Sequence, residues 1–194
     1  MENLIQYFEN IPSLHRSIIL VGGITLFWLI EGLVPTRKLA YKKWRHALPN
    51  FFFTATSILV NFFLAFLLLN TADWTQANGF GLLHIFALPL WLYVVLGVLL
   101  LDFIGAYLAH LVEHKIKPLW MVHLVHHSDH HVDTTTANRH HPLESLVRFS
   151  FTLVAVFILG TPIGVVMLYQ SLSVVLSQFN HANINLPTRL DQWL

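Results

Sequence analysis

The chain contains no cysteine, which excludes disulfides, haem-thiolate ligation, iron–sulfur clusters and thiolate zinc sites together. Any metal it binds must be held by nitrogen and oxygen. Charge is also scarce: 11% of the 194 residues are charged, against about 25% in soluble domains. The formal net charge is +1, so no basic surface suited to nucleic acid is expected. The first thirteen residues carry Glu2 and Glu9 and lack both a positive n-region and a small-residue cleavage pattern. The first apolar segment is therefore expected to remain in the mature protein as an anchor. Internal repeats and low-complexity tracts are absent too.

What the sequence does have is apolar bulk, 55% of residues, with 15 Phe and 6 Trp. That composition belongs to an integral membrane protein. Four uncharged or nearly uncharged stretches approach or exceed the ~20 residues one crossing needs: roughly Ser17 to Val34, Phe51 to Asn70, Leu82 to Leu101, and Phe149 to Thr188. The last is too long for one span and is interrupted at Gly160-Thr161-Pro162-Ile163-Gly164. It reads as two short crossings or a re-entrant hairpin. Arg37, Lys38, Lys42, Lys43 and Arg45 crowd the first connection, whereas the next holds only Asp73 as a charge. The basic connection is therefore expected to be cytoplasmic.

Nine of the thirteen histidines lie between Asp102 and Glu144, as His110-x3-His114, His123-x2-His126-His127 and Arg139-x-His141-Pro142-x-Glu144. Residues three or four apart share a helix face, so each box can aim several ring nitrogens at one point. A lone histidine on an apolar face is usually a hydrogen-bonded core residue. A cluster this dense has no ordinary packing use, because each buried imidazole needs partners for two nitrogens. Imidazole suits borderline transition metals, and the pattern predicts a metal site at a membrane surface.

Asp102, Ala106, His110 and His114 would fall on one stripe of a straight helix. An acid at the edge of an apolar span requires a partner, so Asp102 either accepts a hydrogen bond from a ligand histidine or is solvated at the interface. Lys117-Pro118 ends that helix and allows a new one to start. His130 and His131 follow the turn signal Ser128-Asp129 and read as solvated. Asp133, before Thr134, Thr135 and Thr136, either caps the next helix or orients ligands. His15, His46 and His84 are expected at interfaces, Tyr107 likewise, and Glu31 is expected to snorkel or pair with a neighbour.

Taken in order, Asp102-x4-Tyr107-x2-His110-x3-His114, His123-x2-His126-His127-Ser128-Asp129, Val132-Asp133-x-Thr135-Thr136-x2-Arg139-x-His141-Pro142-x-Glu144 and Asn180-His181-x-Asn183 resemble the fatty acid hydroxylase or sterol desaturase superfamily of membrane di-iron oxidases. The resemblance covers residues from Asp102 to the C-terminus. It implies His110, His114, His123, His126, His127, His141 and His181 as ligands of two iron ions. Asp102, Arg139 and Glu144 join them as catalytic or box-supporting residues, with Pro142. It also implies an O2-dependent hydroxylation or desaturation of an apolar lipid, with electrons from a separate donor such as a ferredoxin or a cytochrome b5-like protein. Leu111 stands where many relatives have a basic residue. The superfamily pattern carries a further H-x-x-H-H box downstream of the position matching His181, so a site incomplete in these residues is expected.

The competing reading is a histidine-rich metal transporter or metal-binding protein. Transport favours ligands near the bilayer midplane on broken helices, whereas most of these histidines lie in a polar segment. Haem held by two histidines leaves too many unused. The expected fold is all-α and polytopic: three membrane helices plus a helical hairpin, with histidine-bearing cytoplasmic helices. Residues 1–101 supply membrane helices and the basic loop, and 102–194 the histidine-box region, within one structural domain.

Overall fold

The computed structural model describes residues 1–38 and 40–192. Among them the only extended pairing is an isolated bridge between Pro35 and Ile184, and all else of regular structure is helical. A short amphipathic helix α1 (Glu2–Glu9) precedes α2 (Ser13–Leu33) and α3 (Lys43–Ala77). A continuous run then comprises α4 (Leu90–Asp102), a π-helical turn (Phe103–Leu108) and α5 (Ala109–Lys115). After it come α6 (Lys117–His127), a 3-10 turn (Thr134–Asn138), α7 (Pro142–Leu159), α8 (Ile163–His181) and the short α9 (Thr188–Asp191).

Five of these runs are long and apolar enough to cross a membrane: Ser13–Leu33, Lys43–His84, Leu90–Lys115, Pro142–Leu159 and Ile163–His181. The protein is thus an all-α membrane protein, and the long apolar stretch resolves into two helices, each long and apolar enough to cross. The break follows from its residues. Gly160 closes α7 with φ 70°, a left-handed conformation suited to glycine, and Pro162 opens α8. The carbonyl of Gly160 accepts from Gln76 Nε2 at 2.7 Å, His84 Nε2 at 3.0 Å and the Tyr93 hydroxyl at 3.0 Å, which anchors the turn to α3 and α4. His84 is therefore a structural donor rather than a free interfacial ring.

The core gathers Leu68 and Ala72 of α3, Val94 and Leu101 of α4, Val156 and Leu159 of α7, and Val165, Val166 and Tyr169 of α8. Outward faces stay apolar: Leu14, Ile18 and Leu29 of α2 and Phe52, Phe62, Phe63 and Phe66 of α3 are exposed. A soluble protein rarely exposes such a surface, whereas in a bilayer it meets acyl chains. Between helices small and polar residues let backbones approach. Gln178 of α8 lies against Gly23 of α2 and donates to the Leu20 carbonyl at 3.1 Å.

The ion pairs among the described residues gather at one end. There the end of α2, the start of α3, the end of α5, the start of α7 and the end of α8 meet through Glu31–Lys43 at 2.9 Å and Arg148–Glu113 at 2.9 Å, with His181 against His126 at 3.2 Å. Arg37, Lys38, Lys42, Lys43, Arg45, Lys115 and Lys117 are at that same end. The opposite connection, 78–89, carries no Asp, Glu, Lys or Arg.

Candidate metal centre

Two helices supply the main cluster. His110 and His114 occupy successive turns of α5, His123 and His127 successive turns of α6, and the Ile116-Lys117-Pro118 corner folds one helix back on the other. The four side chains each bring one ligand atom, and those atoms all lie within 4.8 Å of one another. Nε2 of His127 is 3.0 Å from Nε2 of His123 and 3.1 Å from Nε2 of His114, which in turn is 3.0 Å from Nε2 of His110.

These contacts cannot all be ordinary two-centre hydrogen bonds. An imidazole nitrogen offers one in-plane proton or one lone pair, never both. His123 is fully buried and its Nδ1 donates to Glu144 Oε1 at 2.8 Å, so in the neutral ring Nε2 is a lone pair. If His127 donates from Nε2 to His123, it has nothing left with which to accept from His114. A cation between the four lone pairs removes the conflict, and an ion with bonds of about 2 Å to nitrogen fits the spread.

A second group adjoins the first. The His126 ring lies 5.5 Å from that of His123 and 5.2 Å from that of His127, between centroids. Its Nε2 faces His181 Nε2 at 3.2 Å, across 55 residues of sequence. His181 donates from Nδ1 to the Ser177 carbonyl at 2.7 Å, which again leaves an Nε2 lone pair pointing inward. Nδ1 of His126 is buried without a hydrogen-bond partner among the described residues. Burial, with the nearby His140 and His181 rings, pushes His126 down to about 2, and burial with His123 and His114 lowers His127. Both rings are therefore neutral, the form a metal requires.

The supporting residues are mostly carboxylates, with two guanidiniums. Glu144 Oε1 accepts from His123 Nδ1 at 2.8 Å, His140 Nδ1 at 2.7 Å and Arg148 Nε at 3.1 Å. Arg139 ties the end of α6 to α3: its Nε donates to the Val125 carbonyl at 2.9 Å, Nη1 to Asn50 Oδ1 at 3.0 Å and Nη2 to Ser128 Oγ at 3.2 Å. Asp133 caps the 3-10 turn through Thr135 and Thr136, and Thr134 is pinned to Glu31 by two bonds of 3.1 Å. Glu31 pairs with Lys43 rather than snorkelling, and is 2% exposed. His46, expected at an interface, instead bridges two buried acids, Asp129 at 2.7 Å and Asp133 at 3.1 Å. Burial alone would raise Asp129, but the hydrogen bonds from His46 and Thr136 outweigh it and bring the carboxyl down to about 2. Of the two histidines expected to be solvated, His131 stacks on Tyr41, with ring centroids 5.0 Å apart, and His130 is exposed.

Two expected site residues are placed elsewhere. The Asp102 stripe does not form, because the π-helical turn over Phe103–Leu108 adds a residue to the helical repeat. That rotates everything beyond it by about 100°. Asp102 is exposed and makes no hydrogen bond among the described residues; Glu144 does what was expected of it. His141 is the N-cap of α7, its Nδ1 accepting from Leu143 N at 3.2 Å. Its neighbour His140 turns inward and stacks on His126 with 5.0 Å between centroids, both ring nitrogens engaged by Glu144 and the Ala137 carbonyl. Sequence reasoning missed His140, Glu113 and Arg148. An acid between the two histidine-bearing turns of α5 and a basic residue one turn after Glu144 were the available signals.

A protein named ornithine lipid hydroxylase OlsE, from Rhizobium tropici, is 27% identical over 100 residues, covering 52% of this chain and 30% of that protein. The chain thus spans well under two thirds of that relative's length. No solved structure matches the chain. The fatty acid hydroxylase family pattern matches residues 94–194, which include both histidine groups and the helices presenting them, and the chain belongs to that family.

Proposed function

We propose that the protein hydroxylates a membrane lipid, using dioxygen and two iron ions held at its polar end. The observation that carries this reading is the convergence of four imidazole side chains on one point, with contacts that a single bound cation reconciles. His110, His114, His123 and His127 would hold one ion. His126 and His181 would belong to the second, with His140 stacked beside His126. Bound iron with open positions supplies the capacity to activate dioxygen for attack on an unactivated C–H bond.

This chain's own residues do the rest. Glu144 holds the hydrogen on His123 Nδ1 and so directs the opposite lone pair into the cluster. The apolar outer faces of α2 and α3 sit in the bilayer, and the lipid reaches the centre from that side. The balance is one C–H bond and dioxygen, with two electrons and two protons, giving one C–OH bond and water. The sequence carries no flavin, haem or nicotinamide motif, so the electrons come from a separate carrier such as a ferredoxin or a cytochrome b5-like protein. The basic loop beside the histidine end supports a cytoplasmic orientation, which would give such a carrier access. A lipid with an amino-acid headgroup is the first substrate to test, because the similar protein is named for ornithine lipid.

The test is purification in detergent with iron analysis, followed by lipid mass spectrometry of cells with and without the gene. About two irons per chain, oxygen uptake with a reductant and a lipid heavier by one oxygen atom are expected. Reversible divalent-ion flux without oxygen uptake would instead establish a transporter.

A further inference from the structure

Behind His123, on the side away from the ligand nitrogens, lies a buried charge arrangement that the reaction as described does not use. Glu113 and Glu144 are each 1% exposed and His123 is 0% exposed. Their ligand-type atoms lie within 4.8 Å of one another. Two buried carboxylates at such a distance repel each other, and burial adds the cost of stripping their water. Arg148 resolves the conflict from α7. Its Nη2 donates to Glu113 Oε2 at 2.9 Å and its Nε to Glu144 Oε1 at 3.1 Å, so one planar guanidinium spans both acids.

The distances to the imidazole are unequal. His123 Nδ1 is 2.8 Å from Glu144 Oε1 but 3.7 Å from Glu113 Oε2. The oxygen of Glu113 nearest the ring is the one Arg148 engages, so Arg148 keeps Glu113 from competing for the Nδ1 hydrogen. The remaining oxygens, Glu113 Oε1 and Glu144 Oε2, have no hydrogen-bond partner among the described residues. Each acid therefore spends its bonding on the guanidinium or on the histidines.

We propose that Glu113 and Arg148 are positioning residues of the metal centre: with Glu144 they form one clamp that fixes the ring angle of His123 and thereby the aim of its Nε2. This rests on the metal-centre reading above. Glu113 sits on α5 between the turns bearing His110 and His114, so the clamp also couples the two ligand helices to each other and to α7. Without Arg148, both acids reach for the same Nδ1 hydrogen and the ring has two settings. With Glu113 neutralised, the guanidinium shifts its charge toward Glu144 and weakens the bond from His123.

The experiment titrates cobalt(II) into the full chain, in detergent, for the natural protein and for Glu113→Gln, Arg148→Gln and the double variant. Cobalt absorption bands report affinity and ligand geometry, and melting temperatures are taken on metal-free samples. Each single variant is expected to lose about 10- to 100-fold in cobalt affinity, the usual cost of disturbing a ligand's hydrogen-bond partner, with altered absorption bands. The double variant is expected to lose no more than the worse single one, because the pair acts as a unit. Glu113→Gln keeps the side chain's shape, so it reports even if Arg148→Gln fails to fold. Natural affinity and natural bands in Glu113→Gln would overturn the proposal, as would losses that add in the double variant. If the natural protein bound no cobalt, the metal-centre reading would fall and this one with it, whereas unchanged variants beside a binding natural protein would sink the clamp alone.

Discussion

His123 gives its Nδ1 hydrogen to Glu144 across 2.8 Å, in a place where neither side chain reaches solvent. A carboxylate can only accept, so this one bond decides which histidine nitrogen is left for a ligand role. Asp102, the acid expected from the helical stripe to do this, lies before the π-helical turn and is exposed. Glu144→Gln is therefore expected to lower metal affinity about 10- to 100-fold, while Asp102→Asn retains full metal content. Elemental analysis of the two purified variants distinguishes them.

His140 and His141 are adjacent but have different work. His140→Ala removes a ring that stacks on His126 and donates to Glu144, so metal bound on the His126 and His181 side is expected to fall. His141→Ala loses the N-cap of α7, which costs about 0.5–2 kcal/mol, and leaves metal stoichiometry near two. The reverse outcome, metal lost only from His141→Ala, would return that residue to the ligand set.

Loss of His46 is predicted to harm folding without touching a ligand. It bridges Asp129 and Asp133, whose side chains are 3% and 0% exposed, and ties α3 to the segment after α6. His46→Ala leaves two buried acids without their shared partner, at a cost of about 3–5 kcal/mol. Thermal melting in detergent should show it, and His46→Ala paired with Asp129→Asn should recover part of the loss.

The absence of cysteine makes the orientation directly testable. Lys42→Cys and Asn78→Cys each place one thiol at an exposed position, at opposite ends of α3. With the basic end in the cytoplasm, an impermeant maleimide labels intact cells at position 78 only, and position 42 after permeabilisation. Labelling of position 42 in intact cells would invert the assigned topology.

Much of the architecture was legible in the sequence because each feature has a local cause. Apolar run length reports a crossing, Gly160 and Pro162 report a break, and the histidine spacings on α5 and α6 report shared helix faces. The π-helical turn was not legible. The i→i+5 hydrogen bonds leave no pattern in Phe103 to Leu108, and Gly105, whose absent side chain lets Thr152 of α7 approach closely, is understood only once α7 is in place. His140 and His141 illustrate the same limit, since adjacent residues outside a regular helix point where the packed backbone sends them.

By itself the sequence determined the solvent and the chemistry: an apolar chain poor in charge must live in lipid, and imidazoles without thiolates restrict its metals to nitrogen and oxygen ligands. Only the tertiary structure decided which nitrogens face inward. It brought His181 to His126 across 55 residues and set Glu113, Glu144 and Arg148 around His123. The physical reason is range. Hydropathy and helical spacing act within a few turns, whereas a ring's tautomer and aim depend on buried partners that arrive from other helices.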